Sequence, residues 1–423
     1  MQKDFRKRQN YETGIIFTIL FWAAVLRVES FNKLEKMLEY GCFNPLFPRS
    51  TKLPSIDAIS EALTKWDIER LKESFKEIII ILHLNKAFDK QRLDGYRVVA
   101  IDGSNVIASR KKKCKDCATM KNGTSYYYGH KTVVAMNIGE EASYVLDEFS
   151  LKVKEEEIKI NEKTLEENVV TKSEGEHTGA MTLLKNMPKW VDVVVADSLY
   201  FTSPFFKAVL KGGKQAVVRL EDETRQIYKE IKEHSLKNRS DGEFKYKDKD
   251  NDNKIVYVNY WVKDTKIEDS NLKKKDPLRY TEIRIYKFIE VVEIEVKGEI
   301  QHTFREIYVG TTDKEMDVKT VLKITHKRWI IENSCFHVLK GYCSMEHCFR
   351  HDSIAIEAIL NIMFMAYNLI QSYLFNRLKN FKEEFKKGKE TISWFVKELE
   401  YELVKLDLLI RIKLLKKDYL YST

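Results

Sequence analysis

Apolar residues recur at helical spacing from residue 11 to 90, broken where Pro45, Pro48 and Pro54 cluster. Ser55 stands just ahead of IDAISEAL, where its hydroxyl can accept from a free backbone N–H and start a helix. From Arg97 the texture becomes that of strands. RVVAIDGSNV, YYYGHKTVVAMNIG and ASYVLDEFSLK are rich in β-branched and aromatic residues with turn signals between them, and they predict three consecutive strands. The charged stretch KEEEIKINEKTLEENVVTKSEGE leads to a predicted helix in HTGAMTLLKNMPKW. VDVVVADS then has the short apolar run of a buried central strand. SPFFKAVLKGG predicts a helix ending on Gly212 and Gly213, and KQAVVRL another strand.

Past residue 220 polar low-complexity segments alternate with strong strand signals, IVYVNYWV, YTEIRIYKFIEVVEIEV and TFREIYVG, which predicts a β-rich insertion over residues 221–312. Helical periodicity returns beyond Asp317. The expected organisation is therefore a helical N-terminal domain over 1–92 and a first core segment over 93–220. The insertion follows, then a second core segment over 313–375 and a helical C-terminal region over 376–423.

Composition narrows the class. Hydrophobic residues make up 43% of the 423 and aromatics 12%, with only 16 Gly and 6 Pro, so a sizeable core is available and long disordered linkers are not. Lys and Arg number 73 against 64 Asp and Glu, a net charge of +9 that suits a polyanionic partner without identifying one. Six cysteines are too sparse for a disulfide scaffold, and with no secretory leader in view a reduced, cytoplasmic protein is expected. Residues 14–26 are too short for a membrane span, and 354–375 are interrupted by Glu357, Asn361, Asn368 and Gln371; both read as buried helices.

Three carboxylates carry candidate chemistry. Asp102 ends an apolar strand run and precedes Gly103, which lets backbone or substrate approach closely, and Asp197 ends VVVA in the same manner. Acids leaving the ends of adjacent buried strands stand at a sheet edge that a cation can reach, although a lone strand-terminal Asp is also a common structural feature. Glu332 lies in HKRWIIENSCFHVLKG, where Arg328, Glu332, Phe336 and Lys340 recur every four residues and share one helix face. The same spacing describes a surface ion-pair ladder, but Trp329, Ile330 and Ile331 make the surroundings apolar and favour a site.

The stretches IDGSNV, VVADSLYFTSPFF with QAVVRL after it, and RWIIENSCFHVLKGYCSMEHCFRHDSIAIEAILNIMFMAYNL cover most of residues 97–375. In the order Asp, Asp, insertion, Glu, they resemble the DDE transposases of bacterial and archaeal insertion sequences, in the branch with a β-rich insertion before the catalytic Glu. The resemblance implies a mixed α/β, RNase H-like core in which Asp102, Asp197 and Glu332 bind two Mg²⁺ or Mn²⁺ ions and catalyse strand cleavage and 3′-hydroxyl strand transfer. Hard divalent cations do prefer carboxylate oxygens. Further implications are double-stranded DNA as partner, both element ends and target, a homodimer in the DNA complex, no membrane partner, and a nucleoid-associated location in a prokaryotic cytoplasm.

Arg328 and Lys340 resemble the basic members of a Tyr, Arg, Glu, Lys motif and would contact phosphates near the cleaved bond. Thr325 stands where that motif has Tyr, and Lys340 lies eight rather than seven residues after the Glu. Relatives use an aromatic of the insertion to stack on a displaced base, which makes Trp261 a candidate for that role; the plainer reading is a buried strand residue. At this level a nuclease of the same fold without strand transfer, or a non-catalytic DNA-binding descendant, also stays open. Cys114 and Cys117 form a CxxC, and with Cys343, His347 and Cys348 they invite a zinc hypothesis, though their irregular spacing favours a plain reduced loop. His130 and His177 lie beside core strands, within reach of the metals or simply structural.

Overall fold

The computed structural model describes residues 11–110, 113–122, 125–160, 167–248, 254–296, 299–376, 393–403 and 405. The N-terminal periodicity becomes four helices, α1 (Thr13–Val25), α2 (Phe31–Glu39), α3 (Ile56–Leu63) and α4 (Ile68–Leu84). Ser55 caps α3 as expected, accepting from the Ala58 N–H at 3.3 Å, and Asp67 does the same for α4 through Arg70 at 3.1 Å.

Strands β1 (Val98–Ser109), β2 (Ala118–Asn122), β3 (Ser125–Ile138) and β4 (Tyr144–Ser150) follow. They number one more than the sequence predicts, because residues 118–122 pair with the first half of the long β3. The charged stretch is not a plain linker either: β5 (Val153–Ile160) and β6 (Glu167–Ser173) form a separate antiparallel ribbon. Helix α5 (Glu176–Asn186), β7 (Val193–Ala196), α6 (Ser203–Lys211) and β8 (Gln215–Arg219) then appear in the expected order. Gly179 lets α5 lie directly on the sheet, since a Cβ there would sit 2.8 Å from a Val133 methyl.

The insertion contributes α7 (Gln226–Lys237), β9 (Gly242–Lys247), β10 (Lys254–Glu268), β11 (Tyr280–Val296) and β12 (Glu299–Thr311). Its strands do not form a sheet of their own. β12 pairs antiparallel with β8 through Val309↔Arg219, Gly310↔Val218 and Thr311↔Val217, so one ten-stranded mixed sheet runs β2-β3-β1-β7-β8-β12-β11-β10-β9, with β4 paired to β3. Among the described residues only β1–β7 and β7–β8 are parallel pairs. β7 is buried along its whole length and β8 along its middle, as strands covered on both faces must be.

Helix α8 (Val318–Lys327) leads through a π-helical segment (Ile331–Phe336) into α9 (His337–Tyr342), and α10 (Ser353–Asn376) follows. Of the described helices α10 alone is long and apolar enough to cross a membrane, yet most of it is buried against α1, α3, α4 and β4. Its polar residues explain why. Asn368 brackets the β4 backbone at Val145, accepting from the N–H at 2.8 Å and donating to the C=O at 2.7 Å. Asn361 donates to the buried Glu148 carboxylate, which Lys72 of α4 also meets at 3.0 Å while bonding Glu357 at 2.6 Å. Buried polar groups need such partners, so the pattern fixes α10 at one register on the sheet. Of the C-terminal region expected to be helical, residues 393–403 are helical, and most of the remainder lies outside the described residues.

Candidate active site

Asp102 does not end its strand, contrary to the sequence reading. β1 continues to Ser109 because β3 pairs with it along that length, while its other neighbour, β7, stops at Ala196. The parallel register sets Ile101 opposite Ala196, so Asp102 and Asp197 are the next residues on two adjacent strands, at the point where the ladder between them opens. Asp197 turns away into a 3₁₀ turn, Ser198–Tyr200, and caps it by accepting from the Leu199 N–H at 3.0 Å. Asp102 accepts from the Gly103 N–H at 2.8 Å and is only 9% exposed.

Glu332 arrives from the other side of the chain, in the first turn of the π-helical segment. Arg328 joins it to Asp102: one guanidinium nitrogen lies 3.0 Å from Glu332 Oε1 and 3.5 Å from Asp102 Oδ2. Arg328 itself is 4% exposed and its ring neighbour is Trp329, whose face it covers at 4.7 Å. Its Nε is buried without a partner among the described residues.

The electrostatics follow from this crowding. Burial, then the Asp197 charge, push the Asp102 carboxyl up to about 7; Arg328 pulls the other way and Glu332 adds to the rise. Burial likewise raises Asp197, against the Leu199 N–H and Arg328. The Tyr200 hydroxyl, fully buried and unpartnered among the described residues, is driven up by burial and by the charges of Glu176, Asp102 and Asp197.

Glu176 is the site residue that the sequence reading missed. It opens α5, one residue ahead of the expected helix start, and its carboxylate lies where a Gly103 side chain would be. Lys131 pairs with it at 3.7 Å. The small residue after Asp102 was legible, and what it makes room for was not. His177, next along, hydrogen-bonds Thr202 Oγ1 at 2.8 Å and stacks near Tyr200, with its own basicity lowered by burial.

The remaining expected residues lie further out. The regular four-residue spacing from Arg328 to Lys340 is interrupted by the π turn, which takes one residue more than an α turn. Eight residues there cover the phase that seven cover in an α-helix, which returns Lys340 to within about 20° of Glu332 and reconciles the spacing with the motif. Lys340 is half-buried and pairs with Glu346 at 3.0 Å. Thr325 bonds back to Val321 within α8 and reaches no carboxylate. Trp261 lies on β10 opposite Lys287, donates from its ring N–H to the Asn238 carbonyl at 3.1 Å, and touches none of the three acids. Beside Arg328, a cleft of about 400 Å³ is lined by Arg219, Arg305, Glu306, Ile307, His326 and Trp329.

A family model described as the transposase DDE domain matches residues 158–369. The chain belongs to that family. The transposase contains Asp197, Glu332 and the whole insertion within the matched span, whereas Asp102 lies ahead of it and is tied to the site by the β1–β7 pairing. The mixed sheet and its helices agree with an RNase H-like transposase fold, and the family implies DNA binding and, in general, divalent metal ions. No curated protein matches the chain.

Proposed function

We propose that this transposase cuts DNA at the ends of a mobile element and joins the freed 3′-hydroxyl to target DNA, with Asp102, Asp197 and Glu332 as its catalytic carboxylates. The observation that carries the reading is the Arg328 guanidinium shared by Asp102 and Glu332, with Asp197 following directly on the strand paired to β1 and lying in the same electrostatic field. An all-carboxylate donor set suits hard Mg²⁺ or Mn²⁺. Crowding that pushes Asp102 up to about 7 is the condition a divalent cation relieves, so the residues present fit a metal pair. When bound, two such ions activate the attacking oxygen and stabilise the leaving one in an in-line displacement.

In this reading a water oxygen attacks the phosphorus at the element end, and the 3′-oxygen departs and takes up a proton. That 3′-hydroxyl then attacks a target phosphodiester and releases a target 3′-oxygen. Arg328, with a buried N–H to spare, aligns the scissile phosphate, and the Tyr200 hydroxyl offers a further donor inside the carboxylate field. The Arg219, Arg305 and Trp329 cleft carries the backbone leading to the site, and Lys340 contacts phosphate two turns beyond Glu332. Trp261 holds a displaced base by stacking, worth roughly 1 to 3 kcal/mol. Two copies act together, one for each end, and the N-terminal helices take part in end recognition.

The test uses duplexes bearing the inverted repeats that flank the coding segment, with Mg²⁺ or Mn²⁺. Asp102→Asn, Asp197→Asn and Glu332→Gln are expected to lower cleavage on the order of 10³-fold or more while end binding persists. Normal cutting by any one of them overturns the assignment. A pre-cut end with a free 3′-hydroxyl separates the steps: joined products support strand transfer, and cutting without joining identifies a nuclease.

A further inference from the structure

Four side chains away from the carboxylates converge in a different chemistry. Cys114 and Cys117 lie in the turn before β2, His130 is on β3, and His351 precedes α10. Their donor atoms, two Sγ and two ring nitrogens, all lie within 4.8 Å of one another. His130 Nε2 is 3.1 Å from Cys114 Sγ and 3.3 Å from Cys117 Sγ, and His351 Nε2 is 3.1 Å from Cys117 Sγ. The two sulfurs are 3.7 Å apart, so no disulfide joins them. One imidazole nitrogen facing two sulfurs cannot satisfy both with its single proton. A shared centre can satisfy all four.

We propose that Cys114, Cys117, His130 and His351 form a structural zinc site. Two sulfurs each about 2.3 Å from a tetrahedral zinc stand about 3.8 Å apart, close to the spacing found, and the sulfur–nitrogen distances are a few tenths of an ångström tighter than the same geometry gives. Two thiolates with two imidazoles select zinc over the hard ions that suit the carboxylates. Four protein ligands leave no open position, which marks the site as structural. Cys117 and His130 are buried, at 2% and 6% exposure.

The placement says what the zinc holds. His130 lies opposite Ile107 on β1, the strand that carries Asp102, while His351 lies in the segment after α9, beyond the π turn that carries Glu332. The pairing of Cys117 with His351 spans 234 positions. Zinc therefore ties the Asp102 half of the site to the Glu332 half, independently of any metal bound by the acids.

Full-length chain, purified without a histidine tag or added metal, should contain one zinc per chain by elemental analysis. Reconstitution with Co²⁺ should give the intense d–d bands of a tetrahedral ion together with sulfur-to-cobalt charge transfer. Cys114→Ser/Cys117→Ser and His351→Asn should lose the zinc and the bands, whereas Asp102→Asn should keep both. Zinc retained by the double serine variant overturns the proposal. So does a wild-type chain that carries no zinc and gives Co²⁺ without thiolate charge transfer, an outcome readable even if the variants fail to fold.

Discussion

The transposase holds two groups of metal-type donors in contrasting states of assembly. The sulfurs and imidazoles of Cys114, Cys117, His130 and His351 are drawn together around one centre, the one such group so compact among the described residues. Asp102, Asp197 and Glu332 share a neighbourhood, but a cation from the protein itself stands between two of them. The difference lies in charge. Imidazoles and thiols can hydrogen-bond one another at close range without an ion, whereas three carboxylates in a partly buried edge repel and must be held apart or neutralised. A closed group of soft donors serves architecture, and an open group of hard donors leaves room for substrate.

That contrast makes Arg328 the first place to press. Arg328→Ala leaves Asp102 buried beside two other acids, and metal-free protein should lose on the order of 3 kcal/mol of stability at pH 8. The loss should be smaller at pH 5, where Asp102 can protonate. Denaturant unfolding without added Mg²⁺ or Mn²⁺ at the two pH values measures it, and an equal loss at both would show that Arg328 is not balancing those charges.

Asp102 itself predicts a smaller effect of opposite sign. Its folded-state carboxyl is raised to about 7 from an ordinary 3.8. A raised acid contributes stability that is fully present below the unfolded value and lost as pH climbs through the folded one, so metal-free protein should weaken between about pH 4 and 7. Asp102→Asn should remove that slope and, above pH 7, leave metal-free protein more stable by on the order of 2 kcal/mol. A thermal-unfolding pH series decides. A variant no more stable than the parent above pH 7 would break the argument that the acids are crowded. At the low end, Lys340→Ala breaks only a half-exposed pair with Glu346 and should change stability by less than about 0.5 kcal/mol. If Lys340 meets phosphate, the log–log salt slope of DNA binding should fall by about 1, and an unchanged slope removes it from the interface.

What could be read beforehand divides along the same line. Asp197 was visible because a buried strand that ends in an acid and a turn is a local pattern, Asp102 because an apolar run leading into Asp-Gly is one too, although its strand runs on to Ser109, and Glu332 because of its apolar flanks. The Cys/His group was not visible: His130 is a single residue within a strand, His351 lies hundreds of positions away, and no spacing rule connects them. The cysteines and histidine of residues 343–348, nearer in sequence to His351 than the CxxC is, stay outside the group. The π turn left its trace as one residue too many between Glu332 and Lys340, and spacing alone could not show how that residue is absorbed. In the insertion the strand signals matched β10, β11 and β12 but not β9 or the helix α7, and the β12–β8 pairing depends on contacts between residues about 90 positions apart in the chain.

That pairing has a mechanical consequence. β8 stands next to β7, the strand that delivers Asp197, and through β12 it is hydrogen-bonded into the same plate as the outer strands that carry Trp261. Swinging the outer strands alone would break the three paired positions that join β12 to β8. A duplex gripped at that distant edge would load the sheet as a lever, and the torque would arrive as twist beneath Asp197, so that how firmly an end is held and how well the acids are aligned become one variable.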